Sequence, residues 1–582
     1  MYRFLPFQSP VVASLILFML SAGGSCLPAQ DGKAAVDEEQ ILYGELDAGA
    51  RLFRFVVTVD REGKAKLKSL DEGGRIFQLD SLVLTDEKMG FQLKASGATY
   101  DSVFDKKSKS YLGKWKQRSA SLDLAFEKVD EVPDDRAREI WEGELNAGGR
   151  KLVLRFRVYD SKAPHPVLLD SPNERLGGFT GKKESDQGQI IYTIPALRGK
   201  FTGKLSPDGK SLKGTWNQGV DFPLELKKVS FGEMKENAAA PRRPQTPAAP
   251  FPYRSEEVKI RNKADDLQLA GTLTIPAGDK KTACVILISG SGPQDRDETI
   301  MDHKPFWVIA DYLSRRGTAV LRFDDRGTAN STGDHSTATT ADFARDVGAV
   351  LDFLRQHPRI DASRIGLCGH SEGGLIAPLV ASQRKDVAFI VMLAGPGVNG
   401  EKILSNQLRL ILKASGAGKE EVEFAAALQD GLLEMSQAKE KPDDEKLKRM
   451  VDQLLEKFPG QVNQRDAVLA QSKAGVQNLA SPWMRFFMKH EPAPVLSKIT
   501  CPVLVLNGKK DTQVDPELNL PAIEEAFRRA GKSDYEIVLL DNLNHLFQNC
   551  QTGAPDEYHS IEETFDPGTL ERISDWIVEK TR

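Results

Sequence analysis

The spacing of apolar and polar positions changes character along the chain. Between about 41 and 230, short runs alternate apolar with polar residues, as in Leu152-Val153-Leu154-Arg155-Phe156-Arg157-Val158, and Gly, Asp and Asn separate the runs. Alternation of period two, broken by turn residues, predicts half-buried β-strands. Landmarks in this region occur twice. Gly44-Glu45-Leu46-Asp47-Ala48-Gly49 returns as Gly143-Glu144-Leu145-Asn146-Ala147-Gly148, and Leu79-Asp80-Ser81 returns as Leu169-Asp170-Ser171. Trp115-Lys116-Gln117 returns as Trp216-Asn217-Gln218, and 124–129 returns as 224–229, all at offsets of 90 to 101. Four landmarks in one order predict two related all-β units, 41–130 and 141–230, built as small sandwiches or open barrels.

From about 254 onward the texture becomes one of strands and helices in turn. The continuous apolar run at 284–289 predicts a strand buried on both faces, and 318–323, 364–368, 387–393, 502–506 and 535–540 predict further strands. A helix is predicted at 304–316, closed by Gly317. Another, 341–356, carries Phe343, Val347, Val350, Leu351 and Leu354 at helical spacing, with Thr340 as its cap. Such alternation predicts an α/β domain, 254–582, with a parallel sheet covered on both faces. The segment 400–490 breaks the rhythm, being helix-rich and charged without a strand. Inserted after a sheet strand, on the side where strand ends point, it reads as a lid, against the alternative of a solvated helical appendage.

Two segments stand outside these patterns. Arg3 is the sole early charge, 11–20 is apolar and 21–29 is small and turn-prone, the order of a secretory signal peptide cleaved after Ala29. Its apolar run is about half of the roughly 20 residues a spanning helix needs, so no stable membrane span is expected. Cys26 would be a lipid attachment site in a bacterial lipoprotein. Gly23-Gly24-Ser25 lacks the usual Leu three residues upstream, so the reading is an exported chain, periplasmic or secreted. The second segment, 231–253, holds Pro241, Pro244, Pro247, Pro250 and Pro252 among alanines and reads as a semi-rigid linker.

Composition narrows the partners. The chain of 582 residues is too long for one core, is 40% hydrophobic and 28% charged, and carries a net charge of -4 with no basic block. That excludes nucleic acid, whose phosphates demand a concentrated positive surface. Of five cysteines, Cys26 leaves with the signal; Cys284, Cys368, Cys501 and Cys550 are scattered and read as small hydrophobes rather than disulfides, with no metal site. Trp115, Trp141 and Trp216 invite a carbohydrate platform, but aromatics at repeat-equivalent strand positions favour core. A glycan or envelope contact through the β units stays open as a partner reading.

The chemistry lies in the second half. The strand 365–368 runs into Gly369-His370-Ser371-Glu372-Gly373-Gly374 and then an apolar helix. G-x-S-x-G in a strand-turn-helix setting is a nucleophile elbow, which lifts the serine oxygen above the sheet. A serine hydroxyl needs a base, and in this topology acid and base follow in the order Ser, Asp, His. Asp511 lies just beyond the strand 502–506, with Asp515 as the alternative, and His545 lies beyond the strand 535–540. Of eight histidines, the remainder follow no late strand or, like His370, point away from the serine. The oxyanion donors are expected to be the N–H of Glu372 and that of Ser291 or, failing that, Gly292, in the loop Ser289-Gly290-Ser291-Gly292-Pro293-Gln294-Asp295-Arg296-Asp297.

That loop, together with Arg322-Phe323-Asp324-Asp325-Arg326-Gly327, Ser331-Thr332-Gly333 and the elbow segment 361–374, resembles bacterial α/β-hydrolases described as carboxylesterases. Thr328-Ala329-Asn330 departs from the pattern, where more Gly and Lys are expected. The resemblance covers about 255–582, and some relatives carry β-rich repeats before the hydrolase domain. It implies an α/β-hydrolase fold and hydrolysis of carboxylic esters of short acyl groups, with a small-molecule ester as partner and no cofactor. A serine peptidase of the same fold is the rival enzyme, and a binding or scaffold protein with an inert hydrolase domain is the rival class.

Overall fold

The computed structural model describes residues 39–582 except for 62, 73–74, 80, 94–97, 118–119, 133–136, 148–149, 173–175, 198, 219–220, 231–241, 438–443 and 459–464. The segment 1–29 read as a signal peptide, with Cys26, as well as Asp80 and the start of the Pro-rich segment, therefore lie outside the described residues. The chain divides near residue 240 into two compact units.

The first unit is all-β. Among the described residues, nine strands from Gln40–Asp47 to Ala120–Val129 form one antiparallel sheet, in which the first strand pairs with the ninth and the fourth and fifth are the edges. Eight more, from Glu139–Ala147 to Asp221–Val229, close into a barrel, with Ile140 opposite Val229. The second repeat is thus a closed barrel rather than a sandwich or an open one. Closure leaves no strand edge and seals an interior of Phe156, Tyr192, Phe201 and Trp216. Trp115, Trp141 and Trp216 are all buried, so these side chains build core and no carbohydrate platform.

Strand register corrects one repeat landmark. Val57 pairs with Leu67 and its equivalent Phe156 pairs with Leu169, so Leu67-Lys68-Ser69 is the counterpart of Leu169-Asp170-Ser171. Leu79 and Ser81 matched by letter only. Within this unit the two repeats meet through buried charge: the Arg157 guanidinium donates to Asp71 Oδ1 at 2.9 Å and to Asp170 Oδ2 at 2.7 Å, and Arg54 donates to Asp71 at 2.8 Å. Burial pushes the Asp71 carboxyl up, but the two guanidinium groups outweigh it and hold it below the usual carboxylate range.

The second unit is an eight-stranded sheet in the order β1-β2-β4-β3-β5-β6-β7-β8. Its strands are β1 Tyr253–Asn262, β2 Leu267–Pro276, β3 Thr282–Ile288, β4 Ala319–Phe323, β5 Ile360–His370, β6 Ile390–Leu393, β7 Val503–Gly508 and β8 Tyr535–Leu540. The pairs β1–β2 and β2–β4 are antiparallel and the others parallel. Between the strands run α1 Pro305–Arg315, α2 Thr340–Arg355 and α3 Gly373–Gln383. An insertion after β6 comprises α4 Gly400–Ala414, α5 Lys419–Gln437, α6 Asp444–Lys457, α7 Arg465–Leu479 and α8 Pro482–Lys489. After it come α9 Pro492–Leu496, α10 Pro516–Arg529 between β7 and β8, and the C-terminal α11 Pro567–Lys580. The strands β3, β4 and β6 are buried along their length apart from Thr282, as continuous apolar runs require of a sheet covered on both faces. This is the α/β-hydrolase fold.

Two local expectations change. The cap of α2 is Thr339, whose N–H is bonded to Asp342 Oδ2 at 2.6 Å; Thr340 turns inward instead. The described end of the segment read as a linker is docked on the second unit. Arg243 donates to the carbonyls of Met301, His559 and Ile561 at 2.9 Å, and Gln245 Oε1 accepts from Thr564 and Phe565. Prolines deny this segment a ladder of its own, but its side chains can satisfy the backbone of neighbouring loops.

Candidate active site

The candidate nucleophile is held by backbone geometry. Ser371 sits between the end of β5 and the start of α3 at φ +53°, a left-handed conformation that costs a non-glycine residue about 1–2 kcal/mol. Its N–H is fixed to the Leu393 carbonyl of β6 at 2.8 Å. Gly373 permits the turn: a Cβ there would lie 2.1 Å from the Ile288 carbonyl oxygen of β3. Only glycine lets the elbow come this close to the neighbouring strand.

Asp511 lies three residues past the end of β7, on a turn that aims its carboxylate inward. One oxygen accepts the N–H groups of Gln513 and Val514 at 2.8 and 2.9 Å, and the other accepts Asn507 Nδ2 at 3.1 Å and meets His545 Nδ1 at 2.8 Å. Because that carboxylate accepts, His545 carries its proton on Nδ1 and leaves Nε2 free to act as a base. Both residues are buried, at 3% and 4% exposure, so the pair is shielded from water. Asp515, the alternative acid, is spent elsewhere. It caps α10 through the Glu517 N–H at 3.0 Å and accepts Asn406 at 2.6 Å.

The oxyanion loop after β3 lies against the nucleophile, since a Cβ on Gly290 would sit 3.2 Å from the Ser371 Cβ. The N–H groups of Ser291, Gly292 and Glu372 meet no acceptor among the described residues, whereas that of Gly290 is bound to Glu298 Oε1 at 2.6 Å. The loop is pinned from below by Asp325, which accepts Ser289 Oγ at 2.7 Å and the Gln294 N–H at 2.9 Å. Burial pushes the Asp325 carboxyl well above the usual range.

Three side chains to which sequence reasoning gave no role, those of Glu372, Glu298 and His370, belong to this neighbourhood. The side chain of Glu372 turns under the elbow and accepts Thr340 Oγ1 at 2.6 Å and Trp483 Nε1 of α8 at 2.8 Å. Burial pushes its carboxyl from 4.5 up to about 7, although both hydrogen bonds pull it down. Glu298, buried at φ +51°, meets His370 Nδ1 at 2.9 Å, and His370 Nε2 donates to the carbonyl of His545 at 2.9 Å. The helical insertion therefore reaches the elbow through Trp483. It does so again through Leu375 of α3, which packs with Ile403, Leu404, Leu433, Met484 and Phe487. A signal existed for Glu298: the run Asp295-Arg296-Asp297-Glu298 is too charged for a loop that also approaches a nucleophile, unless those charges are paired.

Among the described residues, no group of three or more His, Cys, Asp or Glu side chains is arranged to hold a metal ion, and no helix is long and apolar enough to cross a membrane.

Sheet order, elbow and Asp–His pair share the arrangement of the α/β-hydrolase fold. Residues 285–558 match the model of the alpha/beta hydrolase family. The chain is similar to Esterase EstD of Thermotoga maritima, with 27% identity over 315 residues that cover 53% of this chain and 65% of that esterase, so it spans less than two thirds of that relative. It is also 24% identical over 283 residues to an uncharacterized 31.7 kDa protein of the traX-finO intergenic region of Escherichia coli, covering 46% of this chain and 86% of that protein. Among solved structures, the Pyrococcus furiosus esterase Pf2001 is similar at 16% identity and a TM-score of 0.34, over 58% of this chain and 98% of that one.

Proposed function

We propose that the chain is an exported serine esterase that cleaves carboxylic esters of short acyl groups. The observation that carries this reading is the Asp511–His545 hydrogen bond of 2.8 Å, together with a serine in the strained elbow conformation whose neighbour His370 meets the His545 carbonyl at 2.9 Å. Likeness to Esterase EstD supports ester over amide chemistry. In the reaction, His545 Nε2 takes the Ser371 proton as the hydroxyl oxygen attacks the ester carbonyl. The N–H groups of Ser291 and Glu372 donate to the oxyanion, and His545 returns the proton to the leaving alcohol. Water then repeats the sequence on the acyl-enzyme. Asp511 keeps the tautomer and stabilises the imidazolium without taking the proton. The insertion 400–490 acts as a lid, a role supported by the Trp483–Glu372 bond and the packing on Leu375. The apolar run at 11–20, followed by small residues, supports export.

The test is hydrolysis of p-nitrophenyl acetate and butyrate by residues 30–582 beside Ser371→Ala, with a panel of peptide amides in parallel. Ester turnover that vanishes in the variant, with silent amides, is the expected result. Equal rates in both proteins would refute Ser371 as nucleophile, and amide cleavage would move the chain to the peptidases.

A further inference from the structure

The elbow carries a second carboxylate–imidazole pair that the triad does not use. Glu298 and His370 are buried at 1% and 5% exposure, and each makes contacts that reach beyond the pair. Glu298 Oε1 accepts the Gly290 N–H at 2.6 Å and meets His370 Nδ1 at 2.9 Å. His370 Nε2 is 2.9 Å from the carbonyl of His545, and the two imidazole rings have centroids 4.8 Å apart. These three contacts join the oxyanion loop, the nucleophile elbow and the loop of the base, which are otherwise remote in sequence.

Proton counting defines the state of the pair. A carbonyl only accepts, so His370 Nε2 carries a proton. Glu298 Oε1 already accepts from Gly290, so it is best placed to accept at Nδ1 as well, which makes His370 doubly protonated against an ionised Glu298. Burial disfavours charge on His370, but the Glu298 carboxylate and the His545 carbonyl outweigh it and leave the imidazole more basic than usual. The groups facing this pair include Asp511, through His545, the buried Cys368 thiol near Glu298, and the ring of Phe547, whose centroid lies 6.4 Å from that of His370. Both bonds of His370 are charge-assisted and shielded, so they fix the backbone at His545 more firmly than a neutral contact would.

We propose that Glu298 and His370 are positioning residues for the base, a charged joint that sets where His545 stands relative to Ser371 and the oxyanion loop. This rests on the serine-esterase reading. Neither residue touches the reacting atoms; both act through the backbone of His545 and through Gly290, the neighbour of the Ser291 donor. A misplacement of about 1 Å at a reacting group costs on the order of 100-fold in rate. The joint therefore acts on kcat and leaves substrate binding alone.

The experiment is steady-state hydrolysis of p-nitrophenyl acetate by the wild type, Ser371→Ala, Glu298→Gln, Glu298→Ala, His370→Ala and the Glu298→Ala/His370→Ala double variant, each with a thermal melt. Glu298→Ala and His370→Ala are expected to lose about 100-fold in kcat, with KM within about threefold. The double variant should be no worse than either single one, because both remove the same joint. Glu298→Gln keeps an acceptor for Gly290 but not the charge that holds His370 doubly protonated, so it should recover about tenfold over Glu298→Ala. It also carries the test if an alanine variant fails to fold, through a kcat below wild type at unchanged KM. Wild-type kcat in Glu298→Gln and the alanine variants, losses that multiply in the double variant, or a change confined to KM would each overturn the joint while the esterase reading stands. A wild type no faster than Ser371→Ala would overturn both.

Discussion

Glu372→Gln removes one titration and little else. In the wild type the carboxyl lies under the elbow, fully buried, with Oε1 accepting Thr340 and Trp483, and burial raises it from 4.5 to about 7. A group raised in the folded state binds its proton more tightly there than in the unfolded chain. Its stabilising contribution is complete below pH 4.5 and is lost as pH rises through about 7. From 4.5 to about 7, at 1.36 kcal/mol per unit, the loss is about 3 kcal/mol, with no discount for solvent because the group is buried. Gln keeps an oxygen for both donors and never ionises. The variant should therefore match the wild type to within a constant offset at pH 4.5 and gain on it by about 3 kcal/mol by pH 8.5, roughly 6 °C in the melting of a unit this size. Melting curves of both proteins at pH 4.5, 6, 7 and 8.5, scored by the difference between them, read this directly. Parallel curves, or a gap that widens on the acid side, would refute the assignment of a neutral carboxylic acid under the elbow.

Other perturbations test separate parts of the molecule. Asp511→Asn keeps the shape of the acid but favours the wrong tautomer of His545, so kcat for p-nitrophenyl acetate should fall by about 10⁴-fold while the protein stays folded. Asp71→Ala removes the carboxylate shared by the partly buried Arg54 and the buried Arg157, which keeps its bonds to Asp170, so the β unit should lose about 3 kcal/mol in denaturant titration, the low end for breaking a buried ion pair. Ester turnover should not change, because the site lies in the other unit. Arg243→Ala removes the donors that hold the docked Pro-rich segment to the carbonyls of Met301, His559 and Ile561, so limited proteolysis near 242–252 should accelerate at least severalfold.

How far the sequence could be read depended on how local each signal was. The buried strands β3, β6 and β7 stood out because a sheet covered on both faces makes apolar runs, and the turn at Ser371 stood out because its glycines lie close in sequence. Asp511 and His545 were legible for a topological reason: parallel strands end on one edge, so residues just past β7 and β8 are neighbours before any side chain is placed. Barrel closure was not legible. It depends on whether the strand at Glu139–Ala147 finds the one at Asp221–Val229, and alternation reads the same in an open sheet. The match of Leu79-Asp80-Ser81 to the second repeat failed for a related reason, since identity of letters says nothing of register.

Glu298, His370 and the side chain of Glu372 escaped because their partners are distant and their burial is not written in a period. Glu298 and His370 are 72 residues apart, His370 and His545 are 175 apart, and Glu372 and Trp483 are 111 apart. A charged residue in a loop reads as solvated until a structure shows what encloses it. Yet these residues sit where the elbow, the oxyanion loop and the insertion meet, and each is a charge or potential charge removed from water. Burying such groups opposes stability, and the Glu372 carboxyl carries that cost directly at neutral pH. An apolar residue at Glu298 could fill the space but could not accept from Gly290 and His370 at once. The polar choice trades stability for a fixed relation between loops that no shared strand connects. That relation is what the proposed esterase site, made from the ends of separate strands, needs, because Ser371, Asp511 and His545 share no element of secondary structure.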